Sequence, residues 1–148
     1  MTTVHVGGTI KRSVEDVWNV LSDPEKSEIW AHEVIEEKLT SPRPVGVGST
    51  RRAVVRGLGG GTMENHAVCT EFEPNRRIAW QTTSSRVPFH VAVDFTPIEG
   101  GATRIDSAWT IQMKGLLRPA NPILGMMLRR LMQRDVANLK ALMESGSL

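Results

Sequence analysis

The chain has 148 residues, 40% of them hydrophobic and 23% charged, which suits one globular domain with a core of its own. A net charge of +2, with no basic stripe carrying interleaved aromatics, argues against nucleic acid as a partner. The lone Cys69 excludes an internal disulfide framework, Tyr is absent, and no apolar run approaches the ~18 residues of a membrane span. The first residues lack a basic segment followed by an apolar run, so no secretory signal is read there and a cytoplasmic setting is expected.

The stretch Thr3 to Lys11 reads as a strand, with Val4, Val6 and Ile10 spaced by smaller or polar residues. Ser13 stands as an N-cap with Asp16 in the capping-box position, and Val14, Val17, Trp18 and Leu21 follow at helical spacing. Ser22-Asp23-Pro24 ends that helix and opens a second short one, to about Trp30, since proline is tolerated in a first turn.

From Glu33 to Met113 the period changes to alternation. Turn signals at Ser41-Pro42, Gly57 to Gly61, Pro74-Asn75, Val87-Pro88 and Glu99 to Gly101 divide it into about six strands. Close turns between successive strands predict an antiparallel meander with one buried face. Val68, Thr70 and Phe72 alternate, and if they face the core then His66 and Glu64 share that face. Gly115 to Pro122 reads as a loop, and a long helix runs from Pro122 to about Ser145. Its predicted apolar stripe is Leu124, Leu128, Leu131, Leu139 and Leu142, with Met132 and Met143 on the shoulder. Asp135 falls near the middle of that stripe and Asn138 on its edge. A carboxylate on the buried face of a helix suggests that the helix covers a cavity.

These elements predict an α+β fold, one antiparallel sheet with a long C-terminal helix laid on it. Several strings, in this order, resemble the START-like or birch-pollen-allergen-like superfamily (SRPBCC), polyketide cyclase/dehydrase branch. They are Ser13 to Trp18 with Leu21 to Pro24, Ile29-Trp30, Gly46 to Ser49, Glu73 to Ile78, Gly101 to Ile105, and Leu128 to Glu144. The resemblance covers nearly the whole chain. It implies a helix-grip fold, about seven curved strands wrapped around the last helix with an apolar cavity between. Proteins of this kind carry lipids, hormones or polyketides, and some cyclise or dehydrate their ligand, so the resemblance does not select a reaction.

The leading expectation is a binding protein for a small hydrophobic ligand, lipid-like or polyketide-like. Trp80, Phe95, Trp109, Leu128, Met132 and Leu139 would give apolar contact; Ser107, Asp135 and Asn138 would add polar groups. The rival is a cofactor-independent cyclase or dehydratase in which Asp135 or His66 moves protons, an imidazole being suited to neutral pH. A third is a protein-interaction module whose cavity is structural. Against its functional roles, Asp135 has a structural alternative as the partner of an arginine or a Trp indole. His5, His32, His66 and His90 lack metal-ligand spacing, so no metal or cofactor is expected. Gly57 to Gly61 precedes no helix and suits a hairpin rather than a phosphate loop.

Overall fold

The computed structural model describes residues 2–57, 60–112 and 121–148, without the side chains of Thr2, Asn121, Pro122 and Leu124. Strand β1 (Thr2–Ile10) leads to helix α1 (Val14–Leu21), a 3-10 turn (Pro24–Lys26) and helix α2 (Ser27–Trp30). Six strands follow: β2 (Val34–Leu39), β3 (Thr50–Arg56), β4 (Thr62–Glu73), β5 (Arg77–Ser84), β6 (Phe89–Ile98) and β7 (Ala102–Ile111). Helix α3 (Asn121–Glu144) has 24 residues and is about 36 Å long at 1.5 Å per residue. The loop read over Gly115 to Pro122, the strand end at Met113 and the middle of the Gly57 to Gly61 turn fall largely outside the described residues.

The local signals act as their chemistry requires. Ser13 Oγ accepts the amide of Asp16 at 3.2 Å, capping α1. The Asp16 carboxylate does not reach back to complete the box; it accepts from Arg12 Nε at 3.0 Å. Asp23 caps the 3-10 turn through the Glu25 amide.

All seven strands form one curved antiparallel sheet, ordered β1-β7-β6-β5-β4-β3-β2, with β1 and β2 at its edges. Register carries the inner face across it in rows. One row is Val4, Trp109, Val91, Trp80 and Cys69; the next is Val6, Ser107, Val93, Ile78 and Phe72. Trp80 and Ile78 are two residues apart on β5, but their partners Cys69 and Phe72 are three apart on β4. Thr70 is the extra residue of a β-bulge between Cys69 and Glu71. Asn65, Ala67 and Cys69 therefore face inward and are buried, and Phe72 rejoins the inner face beyond the bulge. The predicted parity of β4 is thus reversed before Thr70, because alternation cannot be carried through a bulge.

Helix α3 lies along β1. Gly8 makes this possible: a Cβ there would meet Val136 Cγ1 at 3.2 Å. The free edge of β1 is covered by side chains of α3, with Gln133 Nε2 on the Gly7 carbonyl at 3.0 Å and Lys140 Nζ on that of Thr9 at 2.8 Å. At the helix end, Arg12 Nη1 donates to the Met143 carbonyl at 2.7 Å, complementing the exposed carbonyls there. Gly146, at φ 79°, turns the chain out of the helix and donates to Met143 O. At the opposite edge, Glu28 and Glu25 accept the free amides of Glu37 and Leu39 on β2.

The helix is rotated from its predicted phase. Leu128, Met132, Val136, Leu139 and Met143 face the sheet. Leu131 and Leu142 sit half-buried on the flank, and Asp135 and Asn138 share that flank, toward α2.

Candidate functional site

The space between sheet and α3 has two unlike halves. Toward the C-terminal end of the helix, Leu139 and Met143 are fully buried among Ile10, Val17, Ile78 and Ile105. Helix α1 fills this half from the side: Trp18 meets Phe72 and Phe95 edge-on, at centroid distances of 5.2 and 5.1 Å. Toward the start of α3, Leu128, Met132 and Val136 face Phe89, Trp109 and Val87, and all six are only partly buried. Val93 on the inner face of β6 and Met63 at the start of β4 are also partly exposed. These apolar side chains keep part of their surface exposed although they lie between sheet and helix.

The inner face of the same half carries a charge pair that sequence reasoning missed. Glu37 on β2 is 3% exposed, and its Oε1 accepts from Arg51 Nη1 on β3 at 2.5 Å. The Arg51 guanidinium also stacks over the Trp80 ring, 4.4 Å from its centroid. Register puts Arg51 opposite Ala67, and Glu37 opposite Ala53, which itself opposes the buried Asn65. Asn65 Oδ1 accepts from Ser85 Oγ at 2.5 Å. In α2, the buried Trp30 Nε1 has no acceptor among the described residues, a rare condition for a buried donor. Charge on both faces of Val34 to Leu39 concealed Glu37; its one legible sign was that strict alternation from Leu39 turns it inward.

The sequence-derived candidates divide accordingly. Trp109, Leu128 and Met132 meet in the open half. Trp80 is buried beneath Arg51, while Phe95 and Leu139 belong to the closed core. Ser107 faces inward, its hydroxyl donating to the Val6 carbonyl at 2.9 Å. His66 does not join them: the bulge turns it to the outer face, where Nε2 lies 3.2 Å from Glu64 Oε1 and Glu64 also binds Arg52 Nε. That arginine holds the Glu64 carboxyl below its usual range. Thr70, expected on the core face with Val68 and Phe72, is exposed.

Among the described residues, Asp135 has neither an arginine nor an indole as hydrogen-bond partner. Its Oδ1 accepts the backbone amide of His32 at 2.9 Å, and Asn138 Nδ2 donates to the Trp30 carbonyl at 3.0 Å. Arg134 pairs with Glu33 at 3.1 Å, and Arg56 Nη1 holds the His32 carbonyl at 2.5 Å. Together these bonds fasten the 30–33 turn to the flank of α3 and to the end of β3. Partial burial raises the Asp135 pKa through desolvation, and the His32 amide offsets this in part.

Two surface clefts lie outside this space. One, of about 450 Å³, is bordered by His5, Asp94, Arg104, Asp106, Arg129 and Gln133. The other, of about 570 Å³, lies between α1 and Arg43 to Val45. Neither is the apolar cavity expected between the strands and the last helix.

A model of the family described as polyketide cyclase / dehydrase and lipid transport matches residues 1–144. The chain belongs to that family. An uncharacterized protein of Mycobacterium tuberculosis (strain H37Rv) is 33% identical over 129 residues, 80% of this chain and 73% of its own. Among solved structures, a START superfamily protein from Mycobacterium smegmatis superposes with a TM-score of 0.75 at 14% identity, over 95% of this chain and 98% of that one. The Zhui aromatase/cyclase from a Streptomyces species gives 0.75 at 15% identity, over 95% and 92%. At such identities these structures support the fold. Among the described residues, no helix is long and apolar enough to cross a membrane.

Proposed function

We propose that the protein carries a small, mainly apolar molecule in the open half of the space beneath α3, in a cytosolic setting. The observation that supports this is the partial exposure of Phe89, Trp109, Leu128 and Met132, all of which face the interior. Side chains so placed in a filled core would be enclosed, as Leu139 and Met143 are. The ligand's apolar body contacts Trp109, Leu128 and Met132. Its polar end turns toward Arg51, Glu37 and Asn65, since a few polar groups in an apolar site fix orientation. The Trp30 indole N–H is a further donor awaiting an acceptor.

Ser107→Phe tests the reading. If Ser107 borders open space, the variant stays folded and loses uptake of a fluorescent apolar probe. Native mass spectrometry of the wild type then shows a bound small molecule that the variant lacks. Unchanged uptake, with a stability loss of about 1–3 kcal/mol from overpacking, would mean that the interior is already full.

A cofactor-independent cyclase or dehydratase is the second reading, favoured by the half-buried, pKa-raised Asp135 as a proton donor. It requires Asp135 to exchange its His32 amide for a substrate oxygen. It proceeds without His66, which faces away. Turnover of a polyketide-like substrate that disappears in Asp135→Asn while binding persists would favour it.

A further inference from the structure

The outward face of α3 changes character along its length. In its first two turns it presents Ile123, Met126 and Met127, which are 68%, 62% and 50% exposed. Arg130 follows on the same face, exposed and with no ion-pair partner among the described residues; Arg134 comes next, held by Glu33. Beyond them the face continues with Ala137 and Ala141, both exposed, and reaches Glu144. The bias extends along the sequence: no Asp or Glu occurs between Asp106 and Asp135, whereas Lys114, Arg118, Arg129, Arg130 and Arg134 do. The chain as a whole is nearly balanced, at net +2, so this cationic concentration is local.

On the opposite side of the same turns lie Leu128 and Met132, which border the open half of the interior. An apolar exposed patch with arginine at its margin, and no carboxylate on its helix face until Glu144 at the far end, matches the chemistry of an anionic bilayer surface. There the apolar side chains enter the acyl boundary and the guanidinium meets phosphate. A second copy of this chain would bring the same arginines against one another.

We propose that Ile123, Met126, Met127 and Arg130 seat the first half of α3 on an anionic lipid bilayer, beside the open half of the interior. This goes beyond ligand carriage and does not depend on it: the patch lies outside the interior space. The arrangement gives an apolar ligand a path between membrane and interior along one helix.

Flotation of the full chain with phosphatidylcholine vesicles, plain or mixed with phosphatidylglycerol, tests the docking. The expected result is binding to the mixed vesicles only, weakened by added salt. Met126→Ser/Met127→Ser and, separately, Arg130→Glu should each lower it by about tenfold or more. Ile98→Ser, at an exposed apolar residue elsewhere, should leave it unchanged. Circular dichroism and uptake of an apolar probe in solution accompany each variant, so that lost vesicle binding with intact fold and uptake is read as a docking effect alone. Failure of the wild type to float with either vesicle, or equal binding by all variants, overturns the proposal while leaving ligand carriage standing. A dimer in sedimentation velocity that Met126→Ser/Met127→Ser dissociates, without vesicle binding, overturns it in favour of a second copy.

Discussion

In the C-terminal half of α3, Leu139 and Met143 are enclosed by Ile10, Val17 and Ile78, whereas about three turns earlier Leu128 and Met132 face Phe89 and Trp109 and stay partly exposed. Both halves offer large apolar residues from both layers. They differ in the third wall. Helix α1 drives Trp18 between Phe72 and Phe95 and completes the closed half. The open half instead has a charge pair set into the sheet and the 30–33 turn tied along its helix flank. Apolar composition brings helix and sheet together; a third element decides whether the gap is filled.

Substitutions can break that comparison. Trp18→Ala should have the largest effect, about 3–5 kcal/mol by the denaturant midpoint, because it removes the wedge of the closed half. Met132→Ala, in the open half, should cost about 1 kcal/mol, since a half-buried side chain loses less and leaves no sealed void. Equal costs would show that the two halves are equally packed.

Glu37→Leu ranks next, at about 3 kcal/mol, because it strands the Arg51 guanidinium on Trp80. Adding Arg51→Met should recover much of that loss, since an apolar pair can replace a buried ionic one at little cost. If the double variant also loses probe uptake, the pair serves the ligand as well as the fold.

Asp135→Leu should cost about 1–2 kcal/mol by leaving the His32 amide without its acceptor. Asp135→Asn keeps an oxygen in place and isolates the charge. The folded-state pKa of Asp135 is raised, so its favourable contribution is complete below the unfolded pKa and is lost as pH rises through the folded value. Wild type should therefore fall relative to Asp135→Asn as pH climbs out of the carboxylate range, leaving the variant slightly more stable at neutral pH. Parallel pH profiles of the two proteins would contradict the shift.

Much of this architecture could be read from residue types. The Ser13 cap, the Asp23-Pro24 restart and the turn signals at Pro74-Asn75 and Glu99 to Gly101 are local chemistry, and they placed the helices and strands. Which way side chains face is a longer-range property. A single inserted residue, Thr70, reversed β4 and sent His66 outward. The phase of α3 was hidden for another reason. Its apolar residues span a wide arc, and contact with Gly8 on β1, rather than the centre of that arc, decides which of them turn inward. Trp109, Leu128 and Met132 were legible as a group because alternation on β7 and helical spacing on α3 are uninterrupted there. Glu37 and Arg51 lie among charged neighbours on both faces, and only pairing between β2 and β3 distinguishes them.

The pairing of β1 with β7, and of its outer edge with Gln133 and Lys140, also governs how the chain is made. Strand β1 leaves the ribosome without a neighbour until about a hundred further residues have brought out β7, and its far edge stays bare until α3 has been made. Through that interval the β2–β7 meander can zip by hairpins between consecutive strands, while Thr2 to Ile10 waits. A nascent chain stalled before α3 should remain protease-sensitive within Thr2 to Ile10, and release of α3 should protect that strand.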